Sequence, residues 1–128
     1  MSPAVRATYV EIPATDLDRA VAFYAEVFGA RARRTVIDGH PAAVLDEATP
    51  DDAVLAEGAL IALMSGESYE PALAGTRVYI TVDDVPATLA AALAHGAVEL
   101  YPATILPDGQ TVAEFTDSEG NRLAVSDR

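Results

Sequence analysis

The sequence contains no cysteine and no lysine, and all eight of its basic residues are arginine. Without cysteine, disulfides, thiolate metal sites and a cysteine nucleophile are excluded. Without lysine, Schiff-base chemistry on a lysine amine is excluded. The two histidines are His40, expected at an exposed loop tip, and His95, expected in the last turn of a helix. A histidine-based metal site therefore has few ligands to draw on.

Positive charge and long apolar runs are scarce as well. The formal net charge is −12 and the isoelectric point is near 4.2. Nucleic acids and anionic membranes are bound by basic surfaces, so neither is expected as a partner, whereas a cationic ligand stays open. No apolar run approaches the ~18 residues of a membrane span, and the chain does not begin like a signal peptide. These absences predict a soluble, cytoplasmic protein.

The chain does contain a repeat. Residues 9–29 and 77–96 each begin with an alternating apolar run, enter an acidic helix start and stop at a glycine. The repeat period is 68 residues, the spacing from Asp16 to Asp84, two carboxylates placed where free helix N–H groups need acceptors. In the first copy, Thr15 also begins a capping-box-like spacing. A chain of 128 residues fits one domain built from two such modules.

Each module is predicted to contain one helix and four strands. Module one covers about residues 5–65, the linker about 65–76 and module two about 77–127. In module one we expect strands near 7–13, 32–37, 42–45 and 59–64, a helix over 16–28, a hairpin turn at Asp38-Gly39 and an acidic loop over 46–58. In module two we expect strands near 77–82, 98–101, 111–116 and 122–126 and a helix over 85–95. The predicted class is α+β, with two βαβββ modules whose curved mixed sheets surround a concave cavity and whose helices lie outside.

Strand alternation also predicts which side chains face the cavity. Burying Val10 and Ile12 against the helix turns their neighbours to the other face. The predicted ligand-binding residues are Tyr9, Glu11, Leu60, Ala62, Met64, Arg77, Tyr79, Glu114, Arg122 and Ala124. Apolar walls with a few phenols, carboxylates and guanidiniums are typical of a small-molecule site.

Three segments carry a resemblance to a known family. EIPATDLDRAVAFYAEVFGA, RVYITVDDV and AEFTDSEGNRLAV resemble the vicinal oxygen chelate superfamily, which includes glyoxalase I, bleomycin-resistance proteins and extradiol dioxygenases. The resemblance spans roughly Tyr9 to Ser126 and favours the small glyoxalase-related proteins. It implies paired βαβββ modules, a homodimer and a ligand held in the concavity. In most catalytic members it also implies a divalent metal with one ligand from each of four strands.

The four metal-ligand positions implied by the resemblance fall on residues that are not competent ligands for a hard or borderline divalent cation. Carried over one at a time, they are Tyr9, Ala62, Arg77 and Ala124. From side chains at such positions, hard and borderline divalent cations prefer carboxylate oxygen or imidazole nitrogen. Arg77 would also place a permanent positive charge where the charge of the metal belongs. We therefore expect neither a metal nor another cofactor.

Two classes of function remain. The first is a binding protein that holds a small organic molecule without a metal. The second is a metal-independent isomerase, lyase or cyclase that uses Glu11 as general base, with Arg77 or a tyrosine stabilising an oxyanion. A conventional metal-dependent glyoxalase or dioxygenase comes third. Glu11 and Arg77 are expected to be neighbours, as a structural ion pair or as catalytic groups.

Overall fold

The described part of the chain folds into two similar sheets. A computed structural model describes residues 5–46 and 58–128, so the expected acidic loop lies almost entirely outside the described residues. The elements are β1 (Tyr9–Pro13), α1 (Leu17–Phe28), β2 (Ala32–Ile37), β3 (His40–Leu45), β4 (Leu60–Met64), β5 (Val78–Thr81), α2 (Val85–Ala94), β6 (Glu99–Ile105), β7 (Thr111–Thr116) and β8 (Arg122–Ser126). The strand order is β1-β4-β3-β2 in the first sheet and β5-β8-β7-β6 in the second. The pairs β1–β4 and β5–β8 are parallel, and all other neighbouring strands in the two sheets are antiparallel. The predicted α+β class with two βαβββ modules is confirmed.

The repeat is visible in the helix caps. Asp16 accepts a hydrogen bond from the N–H of Arg19 at 3.0 Å, and Asp84 accepts one from the N–H of Ala87 at 3.0 Å. Each carboxylate satisfies a helix N–H that has no partner within the helix. The cap of α1 is therefore Asp16 and not Thr15. Neither helix of the described ranges is long and apolar enough to cross a membrane.

Two strand boundaries show how turn and proline signals act. Asp38 and Gly39 have φ angles of 49° and 77°, the left-handed pair of a type I′ hairpin turn, as expected from the sequence. Strand β6 was expected to end at Tyr101 but continues to Ile105. It is an edge strand, and its pairing with β7 shifts register on both sides of Tyr101. An edge strand tolerates Pro102, which in the sequence resembles a strand end.

Both modules contribute to one hydrophobic core. The core contains Ile12, Phe23 and Leu63 from module one and Val85, Phe115 and Leu123 from module two. Helix α1 contacts β3 and β4 of its own sheet and also contacts α2. Phe28 at the end of α1 stacks on Phe115 of β7, with ring centroids 6.3 Å apart. The helix-bearing faces of the two sheets are therefore joined through α1.

A buried polar network also joins the modules. The turn between β7 and β8 holds Asp117, whose carboxylate accepts a hydrogen bond at 2.7 Å from the Tyr24 hydroxyl of α1. Asn121 of the same turn donates to the Pro13 carbonyl at 2.7 Å, and Glu119 pairs with Arg19 at 2.7 Å. Burial, followed by the nearby Asp117 carboxylate, raises the pKa of Tyr24 well above its ordinary value. The hydroxyl stays protonated and donates its hydrogen bond across the module boundary.

Candidate functional site

The open face of the first sheet carries the predicted residues of module one. Glu11 lies opposite Ala62, and Tyr9 lies opposite Leu60, in the parallel pairing of β1 with β4. Met64 lies two residues beyond Ala62 on the same face. Ile12, on the other face, is 3% exposed and belongs to the shared core. The predicted strand parity therefore places these side chains together on the face opposite the core.

Glu11 is held by two phenols. The Tyr9 hydroxyl donates to one carboxylate oxygen at 2.8 Å, and the Tyr69 hydroxyl donates to the other at 2.8 Å. Burial, with help from the Glu11 hydrogen bond, raises the pKa of Tyr9 to about 12. The hydrogen bond to Glu11 is the main reason that the pKa of Tyr69 is raised. Both phenols are therefore protonated donors at neutral pH, and both carboxylate oxygens of Glu11 are engaged.

Tyr69 is a site residue that the sequence did not predict. It lies in the linker after β4 and packs on Ala62 and Met64, which are both 0% exposed although they face away from the shared core. Its ring meets the ring of His40 edge to face, with centroids 5.3 Å apart. His40 is the first residue of β3, so the expectation of an exposed loop-tip histidine is wrong. The linker composition gave no signal for this contact, because a turn-rich segment does not reveal what it covers.

The open face of the second sheet carries an arginine and glutamate cluster. Tyr79 and Glu114 both lie opposite Ala124, one on each side. Glu114 is 8% exposed, and its two carboxylate oxygens face Arg122 at 2.7 Å and Arg77 at 3.4 Å. Two guanidiniums therefore share one buried carboxylate, while the Tyr79 side chain beside them is exposed.

The expected pair of Glu11 with Arg77 is wrong. In the described part of the chain, Arg77 pairs with Glu114, and Glu11 accepts hydrogen bonds from Tyr9 and Tyr69. The physical reason is that each charge has nearer partners, because Glu11 is bound by Tyr9 of its own strand and Tyr69 of the linker, and Arg77 reaches Glu114 of the second sheet. What the structure does bring together is Glu11 and Arg122, which line a groove of about 270 Å³ between the modules.

The residues at the four family ligand positions do not fit a metal ion. Tyr9 and Ala62 lie on the first sheet, and Arg77 and Ala124 lie at the second. A phenol of high pKa, two methyl groups and a guanidinium offer no carboxylate or imidazole. Across residues 5–46 and 58–128, no group of three or more His, Cys, Asp or Glu side chains could hold a metal ion.

Comparisons with known proteins agree with this architecture. A glyoxylase-like domain-containing protein of Didymella fabae is 33% identical over 121 residues, which cover 93% of this chain and 91% of that protein. The crystal structure of TioX from Micromonospora sp. ML1 matches with a TM-score of 0.65 and 28% identity, covering 95% of this chain and 98% of that one. The V278E mutant of glyoxalase I from Zea mays matches with a TM-score of 0.69 and 20% identity; 94% of this chain is covered, and it spans 45% of the maize chain. The sequence profile of the Glyoxalase/Bleomycin resistance protein/Dioxygenase superfamily matches residues 6–125, and the chain belongs to this family.

Proposed function

We propose that the protein binds a small organic molecule on the open faces of its sheets without a metal ion, in the manner of a bleomycin-resistance protein. The observation that carries the proposal is the donor set at the four family positions, Tyr9, Ala62, Arg77 and Ala124, which offers no oxygen or nitrogen ligand suited to a divalent cation. The same faces retain the mixture that suits an organic ligand. They combine buried apolar side chains with phenols, the two carboxylates of Glu11 and Glu114, and the two guanidiniums of Arg77 and Arg122.

The charge of the ligand depends on the charges at the two open faces and not on the net charge of the protein, which is −12. The first sheet presents Glu11, which would attract a hydrogen-bond donor or a cation. The second sheet presents Arg77 and Arg122 against the single carboxylate of Glu114, so its local charge is positive. A ligand with a donor at one end and an acceptor at the other matches both faces better than a simple cation does.

The metal-free proposal is tested by metal content and thermal unfolding. We expect purified protein to hold no stoichiometric metal, and a chelator to leave its melting temperature unchanged. Added Zn, Ni, Mn or Fe should confer no glyoxalase activity. A screen of small organic compounds should raise the melting temperature equally with and without the chelator, because a ligand at 100 times its dissociation constant adds about 2.7 kcal/mol. Tightly held metal that dialysis leaves bound, or a ligand shift that needs metal, would contradict the proposal.

An enzymatic role for Glu11 is the second candidate. Its two oxygens already accept hydrogen bonds from Tyr9 and Tyr69, which leaves it less available as a base than an unpaired carboxylate. A binding protein should form no product from any bound compound. If a compound is converted, and Glu11→Gln keeps its binding while turnover falls by about 10²–10⁴-fold, the chain is an enzyme with Glu11 as base.

We also propose that the protein is a homodimer. Strands β1, β2, β5 and β6 lie at the edges of the two sheets. Two of these edge strands carry exposed apolar side chains, Val36 of β2, which is 66% exposed, and Ile105 of β6, which is 76% exposed. Open edges and apolar surface are commonly covered by a second copy. Light scattering should give a mass twice that of the 13.4 kDa chain. Particles of the single-chain mass at micromolar concentration would exclude the dimer.

A further inference from the structure

We propose that Tyr69 occupies a ligand position on the first sheet, and that this position takes a phenol, which binds by displacing the Tyr69 side chain. The inference rests on the proposed small-molecule binding. It adds a class of ligand and a residue that controls access to the site.

The apolar part of this ligand position is a layer of buried alanine, valine and methionine side chains. Ala42, Val44, Ala62 and Met64 form a cluster separate from the shared core, and none is more than 3% exposed. They face away from the shared core, so side chains from the open side must cover them. Tyr69 packs on this cluster with Leu60 and Ile37. The flat ring of Tyr69 therefore covers the apolar side chains of the open face.

The polar half of the position recognises the Tyr69 hydroxyl. That hydroxyl donates to Glu11 at 2.8 Å, and the edge-to-face contact with His40 fixes the plane of the ring. Hydrogen bonds to a charged acceptor are stronger than those between neutral groups. A free phenol offers the same ring and the same donor. A carboxylate ligand would be repelled by Glu11, and an aliphatic ligand would leave the contact with His40 unmade.

Tyr69 can leave without disturbing either sheet. Its segment is fixed at one end by the hydrogen bond from Ser65 N to the Pro41 carbonyl and at the other by the bond from Ala72 N to Asn121. Between these points, the described backbone hydrogen bond is a local turn from Tyr69 N to the Gly66 carbonyl. Gly66 has a φ of 140°, and a Cβ there would lie 2.5 Å from the His40 ring, so this turn requires glycine. Outward movement of Tyr69 breaks the turn and the side-chain contacts but no bond of a sheet.

The test uses p-cresol, which is the tyrosine side chain as a free molecule. Isothermal titration should show p-cresol binding Tyr69→Ala at least about tenfold more tightly than wild type, because in wild type the ligand must first displace Tyr69. Toluene, which lacks the hydroxyl, should bind Tyr69→Ala at least about tenfold more weakly than p-cresol. In the double variant Tyr69→Ala/Glu11→Met, the preference for p-cresol over toluene should disappear. The control Tyr101→Ala removes a tyrosine of edge strand β6 and should bind p-cresol like wild type.

Two further measurements separate a structural effect from the proposed one. Amide resonances of Ala62 and Met64 should shift on addition of p-cresol, which places the ligand on the first sheet. Tyr69→Phe keeps the ring packing and loses the hydrogen bond to Glu11, so it should bind p-cresol severalfold more tightly than wild type even if Tyr69→Ala folds poorly.

Equal p-cresol affinities for wild type, Tyr69→Phe and Tyr69→Ala would overturn the displacement of Tyr69. Equal affinities of Tyr69→Ala for p-cresol and toluene would overturn the phenol class. If the protein still binds compounds from the screen without metal, either result contradicts only the inference about Tyr69 and leaves the proposed function intact. Binding that depends on added metal would instead remove the proposed function.

Discussion

Replacing Asp117 by alanine is expected to lower the free energy of unfolding by about 3–5 kcal/mol. The side chain is 3% exposed and accepts four hydrogen bonds. The donors are the Tyr24 hydroxyl at 2.7 Å, the Asn121 side-chain amide at 3.0 Å and the backbone N–H groups of Glu119 at 2.8 Å and Asn121 at 3.0 Å. Alanine would leave buried donors without an acceptor, each at a cost of about 1–3 kcal/mol. Urea unfolding followed by circular dichroism measures the difference.

Two matched variants locate the effect in the buried network. Asp83→Ala removes an exposed carboxylate and should change the unfolding free energy by less than about 0.5 kcal/mol. Tyr24→Phe removes one donor and should cost about 1–2 kcal/mol. Equal costs for Asp117→Ala and Asp83→Ala would show that the turn of module two does not hold the modules together.

The sequence predicted the elements well where a local rule decides them. The positions of the strands in module one follow from period-two alternation, and the pairing of β2 with β3 follows from the Asp38-Gly39 turn, which permits few hairpin geometries. The first helix follows from its apolar spacing, and both helices follow from the acidic caps Asp16 and Asp84, one in each copy. These signals act within a few residues, so they need no knowledge of the rest of the chain.

The partners of the site residues were harder to predict because they depend on distant segments. The alternation of side chains predicted that Glu11 and Arg77 lie on open faces of their sheets. Alternation along a strand does not determine how far apart two side chains on different sheets are. Tyr69 reaches Glu11 from 58 residues away in sequence, through a linker whose composition indicates only turns. His40 becomes half-buried for the same reason, because Tyr69 and the linker cover it.

The ending motif DSEGN illustrates the same limit. In the sequence it contributed to a family resemblance, and its place between two strands predicted a turn. In the structure its Asp117, Glu119 and Asn121 all contact module one. A motif in which polar residues surround a glycine can thus serve module docking, although nothing in its local pattern distinguishes docking from an ordinary turn.

Replacing Phe115 by alanine is expected to lower the free energy of unfolding by about 3–5 kcal/mol and to weaken both modules together. Phe115 is 0% exposed, belongs to the shared core and stacks on Phe28 of module one. Because the cavity would open at the contact between the modules, the chain should still unfold in one urea transition with an unchanged slope. Phe115→Leu keeps most of the apolar volume and should cost about 1 kcal/mol.

Amide hydrogen exchange decides whether the modules form one cooperative unit. In Phe115→Ala, the slowest amides of β4 in module one and of β8 in module two should lose protection by the same factor, since both exchange only through global unfolding. In Phe115→Leu, the amides of β4 and β8 should also lose protection equally, but by a smaller factor. Loss of protection in β8 while β4 keeps its wild-type rates would mean that module two unfolds alone. The shared core would then not make one domain of the two modules, and the open faces would not be held in a fixed relation for a ligand that touches both.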